Sequence, residues 1–126
     1  MVVKPFEDLE VWKEARRLTQ EIYRLTKAEK FWKDFALSGQ IQRAVTSIMS
    51  NIAEGFERKN PRSFAQFLTY ARGSCAELRA QLYLANDAGW LSPLEFARIM
   101  KLARDLGNLL GGLYRSQTAC NSANQA

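Results

Sequence analysis

Apolar positions recur along this chain at helical spacing in four long stretches, and nowhere do they alternate with the two-residue period of a strand. Val11, Ala15, Leu18, Ile22 and Leu25 form the first stripe, widened on one side by Leu9, Trp12 and Tyr23. They predict a helix from about Glu7 to Thr26, with Glu7, Asp8 and Glu10 placing negative charge at the positive end of its dipole. A charged linker follows, carrying Lys27, Glu29, Lys30, Phe31, Trp32 and Lys33. Asp34 fits the N-cap of a second helix running to about Arg58, with Ile41, Val45, Ile48, Ile52 and Phe56 in one sector. Asn60 and Pro61 break it and supply the cap and first position of a third helix. Phe64, Phe67, Leu68, Ala71, Cys75, Leu78, Leu82 and Ala85 share one sector of that helix, which ends at Gly89 after Asn86 and Asp87. Ser92 and Glu95 read as a capping box. The fourth helix then reaches about Arg115 with Phe96, Ile99, Ala103, Leu106, Leu110 and Leu113 inward.

Four amphipathic helices with short loops bury their stripes most simply as an all-α, antiparallel, up-down-up-down four-helix bundle. The expected bundle spans residues 1–116 as a single domain. Residues 117–126, small and polar, are expected to form a disordered, flexible tail.

The polar faces of the two middle helices are more selective than solvent requires. Gln40, Arg43, Ser47, Asn51 and Glu54 fall together on the second helix, opposite its apolar sector. Tyr70, Ser74, Glu77 and Gln81 make a similar strip on the third. Three readings fit: a hydrogen-bonded network that fixes helix register, a surface for another protomer or ligand, or a carboxylate site at Glu54 and Glu77.

Composition narrows the chemistry. A chain of 126 residues that is 47% apolar and 25% charged suits one folded domain. No apolar run approaches the ~18–20 residues that span a bilayer, so no membrane partner is expected. The start lacks the apolar stretch and small-residue cleavage site of a signal peptide, which makes the cytoplasm the expected compartment. Histidine is absent, removing the commonest general base and transition-metal ligand. Two cysteines offer no zinc-ligand spacing, and a bridge between Cys75 and Cys120 does not suit a reducing compartment. No phosphate-binding glycine loop or nucleophile elbow occurs. The expectation is a protein that is not an enzyme and holds no cofactor or metal.

The net charge of +5 permits an acidic partner. Arg58, Lys59 and Arg62 cluster beside the start of the third helix, where an anion would also meet free N–H groups. Arg98, Lys101 and Arg104 add to a candidate basic end for RNA or DNA. A second basic stripe, Lys13, Arg17, Gln20 and Arg24, lies beside Glu10, Glu14 and Glu21, which are expected to pair with its bases. Gly107, Gly111 and Gly112 weaken the fourth helix, through either close approach of another helix or fraying.

Taken in order, Phe6-x-x-Leu9-x-x-Trp12, Leu37-x-x-Gln40-Ile41, Ser47-Ile48-x-x-Asn51-Ile52-Ala53-Glu54-Gly55 and Phe67-Leu68-x-x-Ala71-x-Gly73-Ser74-x-x-Glu77-Leu78 resemble a known pattern. It is that of the four-helix-bundle proteins encoded within intervening sequences of bacterial 23S ribosomal RNA genes, and the resemblance covers roughly residues 6 to 115. It implies a four-helix protomer and a ring-like homopentamer. The fold is similar to the accessory variability protein of diversity-generating retroelements, a basic pentamer that binds nucleic acid and a reverse transcriptase. A homo-oligomer, RNA or DNA, and a protein partner are therefore the candidate associations, for a nucleic-acid-associated adaptor or, alternatively, a purely structural or protein-interaction module that binds no nucleic acid. Met49-Ser50 departs from the Pro-Ala common in the family, so the kink that a proline imposes is not expected here.

Overall fold

A computed structural model describes residues 4–125, with side chains through 122, and turns each apolar stripe into the inner face of a helix. A single 3-10 turn at Phe6–Asp8 precedes α1 (Glu10–Thr26), so the first helix starts three residues later than its acidic run suggests. A five-residue helix α2 (Glu29–Lys33) occupies the charged linker. Three long helices follow: α3 (Phe35–Glu57), α4 (Pro61–Asp87) and α5 (Pro93–Gln125). No strand occurs among the described residues.

The termini form where the sequence places them. The Leu37 N–H donates to Asp34 Oδ1 at 3.4 Å, and the Ser63 N–H donates to Asn60 Oδ1 at 2.8 Å, with Pro61 in the first turn. Ser92 and Glu95 close a reciprocal capping box, at 2.9 Å from the Ser92 N–H to Glu95 Oε1 and 3.1 Å from the Glu95 N–H to Ser92 Oγ. Gly89, at φ +84°, supplies the left-handed residue that ends α4. α3 runs unbroken through Met49 and Ser50, as the missing proline implies.

The four long helices pack in the cyclic order α1–α3–α4–α5, each against two neighbours. Antiparallel register is visible in cross-helix bonds: Gln42 Nε2 donates to Thr26 Oγ1 at 3.0 Å, Ser47 and Ser74 meet at 2.9 Å, and the Cys75 thiol donates to the Ala103 carbonyl at 3.1 Å. Ala15, Leu18, Ile41, Val45, Ile48, Ile52, Leu68, Leu78, Leu82, Ala103 and Leu110 are essentially sealed from solvent. Each large member contributes about 1.5–3 kcal/mol by burial. Phe56, Phe67, Phe96 and Leu113 are only half-buried, and Tyr23 lies largely outside the stripe it was expected to widen.

α5 continues ten residues past the expected Arg115, yet nothing in it beyond Gly111 is buried among the described side chains. The tail thus continues as a helical extension without core packing, a condition in which so short a segment is marginal in water. At the opposite end of the bundle, the Trp90 indole N–H donates to Asp34 Oδ2 at 3.0 Å. Asp34 therefore caps α3 and pins the α4–α5 turn with one carboxylate. Asp34→Ala removes both bonds, and urea denaturation is expected to register a loss of about 1–3 kcal/mol. A loss below that of a lone exposed cap would refute the dual role.

Candidate functional site

The polar seam between α3 and α4 closes only at its centre. The Ser47 and Ser74 hydroxyls lie 2.9 Å apart, and Asn51 Nδ2 donates to the Ser47 carbonyl at 2.8 Å and to Ser47 Oγ at 3.1 Å. Asn51 therefore reaches α4 only through Ser47. Toward one end, Gln81 Nε2 donates to Glu77 Oε1 at 3.2 Å, while the buried Gln81 Oε1 has no partner. Toward the other, Glu54 pairs with Arg58 at 3.1 Å. Gln40 and Arg43 are exposed on the outer edge of α3.

Register decides the carboxylate question. Ser47 faces Ser74, so Glu54 lies seven residues to one side of that level and Glu77 three residues to the other. At 1.5 Å per residue they stand about 15 Å apart along the bundle. Both are exposed. They are too far apart to share a proton or flank a common bond. Among the described residues no three His, Cys, Asp or Glu side chains come together as metal ligands.

The basic residues divide in the same way. α4 and α5 are antiparallel, and Cys75 is level with Ala103. Arg62 therefore lies about 18–27 Å along the axis from Arg104 and Arg98. The six cations expected at one basic end occupy two separate regions. At the α3–α4 turn, Arg58 pairs with Glu54 and lies over the Phe67 ring at 5.0 Å, and Lys59 folds over the Phe56 ring at 5.5 Å. Lys59 also adopts φ +63°, the left-handed conformation that closes the C-terminus of α3. The free N–H groups expected there are mostly committed: Asn60 takes that of Ser63, Phe64 bonds the Asn60 carbonyl, and Pro61 has none. Arg62 alone projects without a partner.

On α5, Arg98 pairs with Glu21 at 3.3 Å and Lys101 with Asp105 at 2.8 Å. Glu21 also takes Arg24 at 2.9 Å, and the hydrogen bond from Arg24 holds its carboxyl below the usual carboxylate range. That stabilisation is present near neutral pH and is lost on acidification through the lowered pKa. Of the pairs expected on α1, only Glu21–Arg24 forms among the described residues, leaving Lys13, Arg16 and Arg17 exposed in a recess that Glu7 and Trp12 also line.

Arg104 belongs to a different constellation. It lines a groove between α4 and α5 together with Thr69, Arg72, Gly73, Cys75, Ala76 and Arg79 of α4 and Gly107 and Asn108 of α5. No carboxylate lines it. Arg72 and Arg79 carry a readable signal, a seven-residue spacing that puts both on one helix face. Sequence reasoning missed them because their meeting with Arg104 depends on the α4–α5 register. Burial raises the pKa of the Cys75 thiol beneath, keeping it protonated and bonded to Ala103. Cys120 is exposed on the helical extension.

A mainly apolar recess of about 630 Å³ lies between the start of α1 and α5, lined by Leu9, Val11, Leu109, Gly112 and Leu113 together with Glu10, Asp105 and Asn108. No helix among the described residues is long and apolar enough to cross a membrane.

A crystal structure of a protein of unknown function from the S23 ribosomal protein family, from Bacteroides thetaiotaomicron, has the same fold. Its TM-score is 0.77 at 24% identity, over 82% of this chain and 97% of that one. No curated protein matches the sequence. The motifs on α3 and α4 that build the bundle's seam fall within residues 7–112, where the sequence fits the description 23S rRNA-intervening sequence protein, and the chain belongs to that family.

Proposed function

We propose that this protein is a non-enzymatic, self-associating helical-bundle adaptor that engages RNA or DNA through basic surface. The observation that carries this reading is the distribution of uncompensated charge. Basic residues outnumber acidic ones 18 to 13. The ion pairs among the described residues absorb Arg24, Lys33, Arg58, Arg98 and Lys101. Arg72, Arg79 and Arg104 on α4 and α5 share a groove that no carboxylate lines, and Lys13, Arg16 and Arg17 on α1 outnumber Glu7, the acid that lines their recess. Such surfaces attract a phosphate backbone by releasing its counterions.

Self-association, expected from the family as a pentamer, draws support from apolar surface that one protomer leaves uncovered. Leu94 is 79% exposed, Leu84 57% and Phe35 66%, in addition to the recess beside Leu109. The cytoplasm is the compartment consistent with this reading.

Titrating a fluorescent single-stranded RNA at several salt concentrations tests the proposal, with light-scattering mass measured alongside. The expected result is an affinity that falls steeply and linearly on logarithmic axes as salt rises, at a mass above that of the 14.4 kDa protomer. No retention of RNA or DNA at low salt would overturn the nucleic-acid role. A protomer mass at every concentration would overturn self-association.

A further inference from the structure

We infer that the groove between α4 and α5 is a binding site for phosphate oxyanions, held by Arg72, Arg79 and Arg104. This deepens the nucleic-acid reading and rests on it for the source of the phosphate, a nucleic-acid backbone.

Three features converge. The first is the donor set. Three arginines line one groove of about 500 Å³ with no carboxylate among its walls. A planar guanidinium offers paired donors that match phosphate oxygens. The Asn108 amide adds a further donor, whereas the Thr69 hydroxyl donates to the Ala65 carbonyl and has no proton to give.

The second is an unmet donor. The Nε of Arg79 is buried and has no hydrogen-bond partner. A buried N–H without an acceptor is costly, and an oxyanion seated in the groove supplies one. Arg72 lines the same groove, while its guanidinium lies toward Gly111, 5.7 Å from the Tyr114 ring centroid.

The third is the floor. Gly73, Ala76 and Gly107 leave the groove open between the arginines. A Cβ on Gly73 would meet nothing within 4 Å, and one on Gly107 would sit in ordinary contact with Cys75 Sγ at 3.6 Å. Packing within the protomer therefore does not require either glycine, although both weaken their helices. What the missing side chains preserve is access to the groove.

The test compares charge-matched variants of the full chain. Arg72→Gln with Arg104→Gln removes two exposed groove cations, and Lys30→Gln with Lys33→Gln removes two from α2. Arg79→Gln is made separately, with melting temperature recorded because its side chain is partly buried. The probes are a single-stranded RNA oligomer and tripolyphosphate. The expected result is at least a tenfold loss of RNA affinity for the groove pair, with the logarithmic salt slope shallower by about 1.4, and less than a twofold change for the α2 pair. Equal effects of the two pairs would overturn the groove while leaving the nucleic-acid role intact. Wild-type binding of tripolyphosphate but not RNA, lost in the groove pair, would keep the site and overturn its nucleic-acid source. Binding of neither probe would overturn both.

Discussion

Gly55→Ala is expected to destabilise the bundle by about 1–3 kcal/mol, although alanine is the better helix former by about 1 kcal/mol. A Cβ at Gly55 would lie 2.5 Å from Phe67 Cβ and 3.1 Å from Phe64 Cδ1. The nearer atom is fixed to the α4 backbone, so no rotamer change relieves the overlap. α3 and α4 must move apart by about an ångström to reach ordinary carbon–carbon contact. That displacement falls on the α3–α4 pair, where the Phe56–Phe64 edge contact closes the turn. Gly73→Ala is the matched control, because its new methyl enters open space and should raise stability by up to about 1 kcal/mol. Urea midpoints at one protein concentration decide the matter, since self-association would make them concentration-dependent. A Gly55→Ala midpoint at or above wild type would show that the contact relaxes freely.

The opposite signs predicted for two glycines illustrate what the chain discloses by itself. Helical faces are legible because the period of 3.6 residues is a local property: Val11 through Leu25 and Ile41 through Ile52 are buried as their spacing requires. Caps are legible for the same reason, at Asp34, Asn60 and Ser92. Relations between helices are not local. Arg98, Lys101 and Arg104 look continuous with Arg58, Lys59 and Arg62 until antiparallel packing sends α5 back from the far end. Glu54 and Glu77 look like a pair until Ser47 and Ser74 set the register that separates them. Ser47–Asn51–Ser74 was within reach of sequence reasoning because only one turn of antiparallel register was needed to join them. The Arg72–Arg79–Arg104 groove required a second.

The seam and the groove also divide the labour of α4. Its side toward α3 is occupied by satisfied contacts, from Phe67 against Gly55 to Ser74 against Ser47. Its side toward α5 combines a packed lower layer, Cys75 against Ala103, with an upper layer of cations and small residues. Polar groups that bond one another specify the fold, while those left without partners are available to a ligand. Among the described residues Gln81 Oε1 and Arg79 Nε are the two buried exceptions, and of these Arg79 lines a groove without carboxylates.

Phe31→Ala is expected to cost about 3–5 kcal/mol, the largest loss from any residue outside the four long helices. Surrounded by Glu29, Lys30, Trp32 and Lys33, Phe31 sits in a segment that reads as linker, yet it is 1% exposed. A five-residue helix has no stability of its own in water. The Lys33–Glu29 pair is largely in solvent and adds little. α2 touches both α1 and α3 and is therefore held chiefly by one aromatic side chain that joins the buried core. The neighbouring Trp32, 48% exposed and edge-on to exposed Phe35, gives the contrast: Trp32→Ala should change stability by about 0.5 kcal/mol or less. Two outcomes for Phe31→Ala separate local from global consequences. If the cavity stays in the core, the urea midpoint drops by the full amount with an unchanged slope. If α2 instead detaches, amide exchange rises across residues 27–34 and the midpoint falls by less, because the loss cannot exceed the docking energy of that segment. A variant with wild-type midpoint and wild-type exchange would mean that Phe31 does not anchor the α1–α3 connection.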